Sequence, residues 1–294
     1  MLTGSIVALV TPFFPDGSIH YEKLGELIEY HIEHQTAAIL ILGTTGESPT
    51  ISFEEQCDIV SYTVAKAKGR IPVMVGSGSN DTAKSLQMSQ TFEQLGADML
   101  LVITPYYNKT NEAGMIQHFT TIADGVAIPI ILYNVPSRTG CAISVKAVQT
   151  LAKHPRIIGL KEASGDLAYV MAISRYLAKD FVLYSGNDDM IVPLLSVGAV
   201  GVISVWANIM PQVTRKLVDQ YLAGNHQESL ALQHRYLDLI HALFTETNPI
   251  PVKKAMNLLG FEVGPVRLPL AELSSFQSEA LSALLKDLVP SEDH

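Results

Sequence analysis

The sequence predicts a (β/α)8 TIM barrel over residues 1–224, followed by a C-terminal three-helix appendage over residues 225–294. Three observations carry this reading. Eight short, β-branched apolar runs recur along the chain, each ending in a polar or glycine-rich turn, with helical segments between them. The runs lack strict polar alternation, which is the pattern of strands buried on both faces. After about Gly224 the strand pattern stops and only helical periodicity continues.

The runs are Ser5–Val10, Ala37–Gly43, Ile71–Ser77, Met99–Pro105, Ile128–Asn134, Ile157–Ala163, Phe181–Gly186 and Gly201–Val205. Several helices between them announce their own starts and stops. Ser52-Phe53-Glu54-Glu55 reads as a capping box opening a helix to about Lys68, with Gly69 as its stop. Asn80-Asp81 can cap the next helix, which ends at Gly96; Ser144 can cap one through Leu151, and Asp166 one through Leu177. In the tail, His226–Phe244, Pro251–Leu259 and Leu270–Leu288 read as three helices, with Lys253 and Lys254 on the middle one. The tail reads as packing or interface material rather than a separate catalytic unit.

The chain has 294 residues, 48% of them hydrophobic and 17% charged, enough for a large core. A net charge of −9 argues against nucleic-acid and anionic-membrane binding, both of which need basic patches. Cys57 and Cys141 have no CxxC spacing and read as reduced thiols. Met1-Leu2-Thr3-Gly4-Ser5 has no signal-peptide character, and Ser196 to Met210 is too short to span a bilayer, so the protein is expected to be cytoplasmic. Gly76-Ser77-Gly78 lacks the third glycine of a dinucleotide motif. His31 and His34 lie three apart without a third ligand, so no metal is expected. No nucleophile-elbow motif is present.

Lys161 stands inside the apolar run Ile157-Ile158-Gly159-Leu160-Lys161-Glu162-Ala163. Burial disfavours an ammonium, lowers its pKa and frees the amine as a nucleophile toward a carbonyl. The ordinary alternative is a strand-end lysine reaching water. Barrel enzymes place their chemistry where strands end, and polar residues gather there. The second run ends in Gly43-Thr44-Thr45-Gly46-Glu47, the fourth in Thr104-Pro105-Tyr106-Tyr107-Asn108, the fifth in Tyr133 to Gly140, and the seventh in Ser185-Gly186-Asn187-Asp188-Asp189. Each has two readings. Thr44-Thr45 is either an ordinary turn or a carboxylate cradle. Tyr133 is either a lining aromatic or a proton carrier. Arg138 is either a surface charge or a fork for a substrate carboxylate. Glu162 alternates to the face opposite Lys161 and reads as structural. One lysine among hydroxyl, phenol and guanidinium groups suits an amine that captures an α-keto acid, whose imine acidifies the adjacent methyl group. The enamine then attacks an aldehyde.

The motifs Gly43-Thr44-Thr45-Gly46-Glu47-Ser48, Thr104-Pro105-Tyr106-Tyr107-Asn108, Tyr133-Asn134-Val135-Pro136-Ser137-Arg138-Thr139-Gly140, Gly159-Leu160-Lys161-Glu162-Ala163 and Asn248-Pro249-Ile250-Pro251-Val252-Lys253 resemble those of the dihydrodipicolinate synthases. These belong to the pyruvate-dependent class I aldolases, with N-acetylneuraminate lyase. The resemblance covers essentially the whole chain. It implies condensation of pyruvate with L-aspartate 4-semialdehyde in lysine and diaminopimelate biosynthesis, with a covalent pyruvate imine on Lys161 and no cofactor. It gives Tyr133 the role of proton donor and acceptor, and Thr44 that of a link between Tyr133 and Tyr107. Thr45 holds the pyruvate carboxylate, Arg138 the semialdehyde carboxylate, and Gly186 and Ile203 complete the pyruvate pocket. It also implies a homotetramer in which Tyr107 reaches a neighbour's site. Arg138 favours this family over sialate or keto-deoxy-sugar lyases, the alternative.

Two departures stand out. In lysine-inhibited relatives an interface pocket binds lysine through histidine and glutamate. The matching positions here are Ser48, Pro49, Phe53, Gln56, Asn80, Lys84 and Tyr106. Lys84 puts a like charge toward the effector, and Gln56 and Phe53 replace histidines, so weak or absent lysine inhibition is expected. Thr110 stands where proline is common, which predicts a more flexible loop after Tyr107.

Overall fold

Alternate residues of each apolar run face two different hydrophobic layers, which is why the runs show no strict polar alternation. In the computed structural model, which describes residues 2–288, Ile6, Leu40, Met74, Leu101, Tyr133 and Tyr184 pack inside a closed barrel. Val7, Ile39, Val73, Leu100, Leu132 and Leu183 pack outward against helices. Residue 1 and residues 289–294 of the two expected segments lie outside the described residues.

The strands are β1 Gly4–Ala8, β2 Ala38–Ile41, β3 Val73–Gly76, β4 Met99–Ile103, β5 Ile130–Asn134, β6 Ile157–Glu162, β7 Val182–Ser185 and β8 Gly201–Ser204. All pair in parallel and in chain order, and β8 closes on β1 with Ile203 opposite Ile6. This is the predicted TIM barrel. Seven strands lie within their predicted runs, and β1 starts one residue early, at Gly4; of the residues left over at the C-terminal ends of the runs, Ala163, Gly186 and Val205 line the site.

One irregularity matters. Ile130 pairs with Ile157 but Ile131 pairs with Gly159, so β6 carries one extra residue against β5. Beyond it, Tyr133 pairs with Lys161 and Asn134 with Glu162. A side chain at Gly159 would meet the Val182 carbonyl oxygen at 2.7 Å, so glycine lets the two strands close here.

Around the barrel run α1 Tyr21–Glu33, α2 Phe53–Ala67, α3 Thr82–Gln94, α4 Glu112–Asp124, the short α5 Pro136–Thr139, α6 Val145–Leu151, α7 Leu167–Ser174, α8 Ile191–Ser196 and α9 Pro211–Leu222. The capping residues are largely those read from the sequence. Ser52 and Glu55 form a reciprocal capping box, a device worth about 1 kcal/mol. Asp81, Ser144 and Asp166 each accept from backbone N–H groups of the helix they open. α7 ends at Ser174, short of the predicted Leu177. α1 is capped by the His20 ring rather than by a conventional capping residue, and α9 has no side-chain cap but opens on Pro211, which suits a first helical position.

The tail holds α10 His226–Ala242, α11 Ile250–Leu258 and α12 Ser275–Leu288. α10 packs on α9 and α12. Residues 270–274, predicted to open the last helix, are irregular, and Ser274 and Gln277 bond to each other at its start. No helix among the described residues is long and apolar enough to cross a membrane.

Candidate active site

The C-terminal ends of β2, β5, β6 and β7 open onto one cavity of about 160 Å³, where a barrel of this kind carries its chemistry. Its lining includes Thr44, Thr45, Tyr133, Arg138, Lys161 and Gly186. These are six of the eight site residues read from the sequence, brought together from separate segments of the chain.

Lys161 is 5% exposed. Its register partner is Tyr133, so both side chains point into the barrel, and the Lys161 Nζ lies 4.4 Å from the Tyr133 ring centroid. Burial pulls the ammonium down to about 8, a shift opposed by the Asp188 carboxylate and reinforced by Arg138. An amine titrating there is available to a carbonyl near neutral pH.

Burial pushes the Tyr133 phenol up, while Arg138 and a hydrogen bond with Thr44 draw it down. The phenol therefore stays protonated and can donate. Glu162 takes the opposite face, as expected from its alternation. It accepts from Asn134 Nδ2 at 2.7 Å and from the Ser164 N–H at 2.5 Å. Asn134 Oδ1 in turn accepts from the Ile143 N–H at 3.0 Å, which ties together the two ends of the loop bearing Arg138.

Two expected residues stand apart. Tyr107 is 90% exposed, on a loop where it holds φ +69°, and does not line the cavity. Within one chain, Thr44 therefore meets Tyr133 without Tyr107. Ile203 is fully buried among the interior residues of the barrel and does not line the cavity either.

Two further groups carry no role in the sequence reading: Asp188, which acts on Lys161 without lining the cavity, and Asn248, which lines it. Asp188 is buried, and its Oδ2 accepts from the backbone N–H groups of Val205 and Trp206 at 3.0 and 2.9 Å. Burial raises its pKa, and these bonds and Lys161 lower it. In sequence, Asp188 stands among the polar residues that end the seventh run, with no role of its own. Asn248, from the tail, lines the cavity, and its Nδ2 donates to Thr45 Oγ1 at 2.9 Å. Its backbone carbonyl accepts from Arg138 at 3.2 Å. The tail thus reaches both expected carboxylate-binding residues. The Asn248-Pro249-Ile250-Pro251 motif was the available signal.

A neighbouring cavity of about 360 Å³ shares Thr44 and Tyr133 with the first. Its lining includes Ser48, Pro49, Phe53, Gln56, Lys84 and Tyr106, though not Asn80. The Gln56 amide is spent on the backbone carbonyls of Ser48 and Ile51. His31 and His34 do not converge. The His31 Nδ1 bonds Thr36, and the His34 Nδ1 bonds the Tyr30 carbonyl. Both cysteines are free thiols.

The family model described as the dihydrodipicolinate synthetase family matches residues 1–288. A 4-hydroxy-tetrahydrodipicolinate synthase of Thermoanaerobacter sp. (strain X514) is 52% identical over 283 residues, covering 96% of this chain and 95% of the relative. A 4-hydroxy-tetrahydrodipicolinate synthase of Clostridium perfringens (strain SM101 / Type A) is 48% identical over 286 residues, covering 97% and 98%. The crystal structure of dihydrodipicolinate synthase from Aquifex aeolicus superimposes with a TM-score of 0.94 at 42% identity, covering 97% of each chain. The chain belongs to the dihydrodipicolinate synthetase family.

Proposed function

We propose that this enzyme condenses pyruvate with L-aspartate 4-semialdehyde through an imine on Lys161, giving 4-hydroxy-tetrahydrodipicolinate on the route to lysine and diaminopimelate. One observation carries the assignment of roles. A buried lysine amine faces a tyrosine phenol in the same cavity as the Thr44-Thr45 turn and Arg138. The neutral Lys161 amine attacks C2 of pyruvate, and water leaves as the imine forms. The iminium acidifies the methyl group, and the enamine carbon attacks the aldehyde. The semialdehyde's own amine then displaces Lys161 and closes the ring. Tyr133, relayed by Thr44, supplies and takes the protons; Thr45 holds the pyruvate carboxylate and Arg138 that of the semialdehyde. Gly186 and the Ile203 backbone complete the pyruvate pocket. No metal or organic cofactor takes part.

The exposed Tyr107 suits a residue that completes a second copy's relay, and a homotetramer built from such dimers is the working assembly. Asn248 supports reading residues 225–294 as an appendage that serves the barrel of residues 1–224 rather than as a separate catalytic unit. A cytoplasmic location fits this biosynthetic role.

The test is borohydride reduction in the presence of pyruvate, followed by peptide mass spectrometry and product analysis with each candidate aldehyde. A reduced adduct on Lys161 and turnover with the semialdehyde are expected. An unlabelled Lys161 refutes the mechanism, and preference for a sugar aldehyde refutes the substrate.

The titration of Lys161 sets a pH dependence. The reactive form is the neutral amine, so the initial rate of imine formation rises with pH and levels off above about 8. A trapped-adduct rate that stays flat over about two units around that value contradicts the assignment. Lysine added to the assay is expected to inhibit weakly or not at all, given Lys84 in the neighbouring cavity. Strong inhibition at sub-millimolar lysine refutes that expectation.

A further inference from the structure

The Thr44-Thr45 turn is bracketed by two residues in the left-handed region, Leu42 at φ +55° and Glu47 at φ +56°. Side chains other than glycine disfavour that conformation, so the surroundings must hold the turn. On the barrel side, the Thr11 hydroxyl donates to the Gly46 carbonyl at 2.7 Å. On the other side the hold comes from the tail, more than 200 residues away in sequence. Glu47 Oε1 accepts from the Lys253 ammonium at 2.9 Å, and Oε2 from the Arg267 N–H at 2.8 Å.

Lys253 is 1% exposed and uses its ammonium fully. Besides Glu47 it donates to the carbonyls of Thr11 at 2.9 Å and Pro265 at 2.5 Å, and it lies 4.3 Å from the Phe13 ring centroid. The Arg267 guanidinium covers the same ring and donates to Gly17, Thr50 and Glu55. A buried ion pair is a weak source of stability but a strong constraint on geometry, because moving either partner strands the other. This one spans the end of the pyruvate-binding turn, Thr11 of the barrel and helix α11.

We infer that Lys253 is a positioning residue for the pyruvate site, acting through Glu47 to hold the Thr44-Thr45 turn in its binding geometry. The inference rests on the reading that Thr45 holds the pyruvate carboxylate. Lys253 does not line the cavity and touches no substrate; its effect is the placement of groups that do.

The test compares full-length Thr45→Val, Lys253→Met, the Lys253→Met/Glu47→Gln double variant and the Thr45→Val/Lys253→Met double variant. The readouts are half-saturating pyruvate for adduct trapping on Lys161 and kcat at saturating pyruvate, taken well below each melting temperature. The Lys253→Met/Glu47→Gln pair strands no charge, so it carries the comparison where Lys253→Met alone fails to fold. Half-saturating pyruvate is expected to rise about tenfold in either background, with a smaller change in kcat. Lys253→Met is expected to add little to Thr45→Val, since both act on one contact. Folded variants with a lower melting temperature but unchanged half-saturation overturn the inference, because that is what a purely structural pair would give. Fully additive losses overturn it too. If Thr45→Val itself leaves half-saturation unchanged, the reading of Thr45 fails and the inference falls with it; if only the Lys253 variants are silent, the inference fails alone.

Discussion

Lys161→Ala is expected to leave no pyruvate adduct and to lower kcat by on the order of 10⁵ or more, as loss of a covalent nucleophile does. The fold should survive. Keeping a buried ammonium whose titration is drawn from 10.5 to about 8 costs about 3 kcal/mol relative to water, and the substitution removes that cost. The offset is Asp188, which loses its cationic neighbour. Calorimetry should therefore find a melting temperature near that of the parent. Lys161→Arg separates charge from nucleophilicity. It retains a cation near Asp188 but cannot form the imine, so it should be as inactive as the alanine variant. Any borohydride-stable pyruvate adduct in either variant moves the nucleophile elsewhere.

The second large effect is expected at Tyr133. Tyr133→Phe keeps the ring beside Lys161 and removes only the hydroxyl, so loss of proton transfer should lower kcat by about 10³. Trapping with pyruvate should still reach the same end point, but more slowly. Thr44→Val breaks the hydrogen bond to the phenol and should cost less than Tyr133→Phe. The combined variant should be little worse than Tyr133→Phe alone, because the two hydroxyls act in series. Independent, multiplying losses rule out the relay. A kcat for Tyr133→Phe within a few-fold of the parent removes Tyr133 from the chemistry.

The barrel was legible because both faces of each strand are buried, so a residue such as Leu100 on the outer face and Leu101 on the inner face both had to be apolar. Lys161 was legible for the same reason: a charge in such a run has no ordinary place. Local rules also found the starts of α2, α3, α6 and α7, because a capping side chain lies within three residues of the group it satisfies. What escaped was long-range. Asn248 bonds to Thr45 across 203 residues, and Lys253 to Glu47 across 206, and no periodicity or spacing links them. Asp188 was visible only as one of the polar residues ending the seventh run, because the backbone N–H groups that hold its carboxylate come from the β8 loop, 17 and 18 residues away. Tyr107 was found by motif, yet a single chain leaves it in solvent.

The extra residue in β6 gives the catalytic centre a parity. Ile158 packs with the barrel interior, Leu160 with the outer layer and Lys161 with the interior again, so the inward count steps by three where a regular strand steps by two. Pair the same residues without that bulge, Ile158 against Ile131, and the count is even. Lys161 would then fall opposite Asn134, turned toward the helices, and Leu160 would take its place beside Tyr133. No side chain would have been altered, yet the nucleophile would have left the cavity. Catalysis in this barrel depends on an odd number as much as on a lysine.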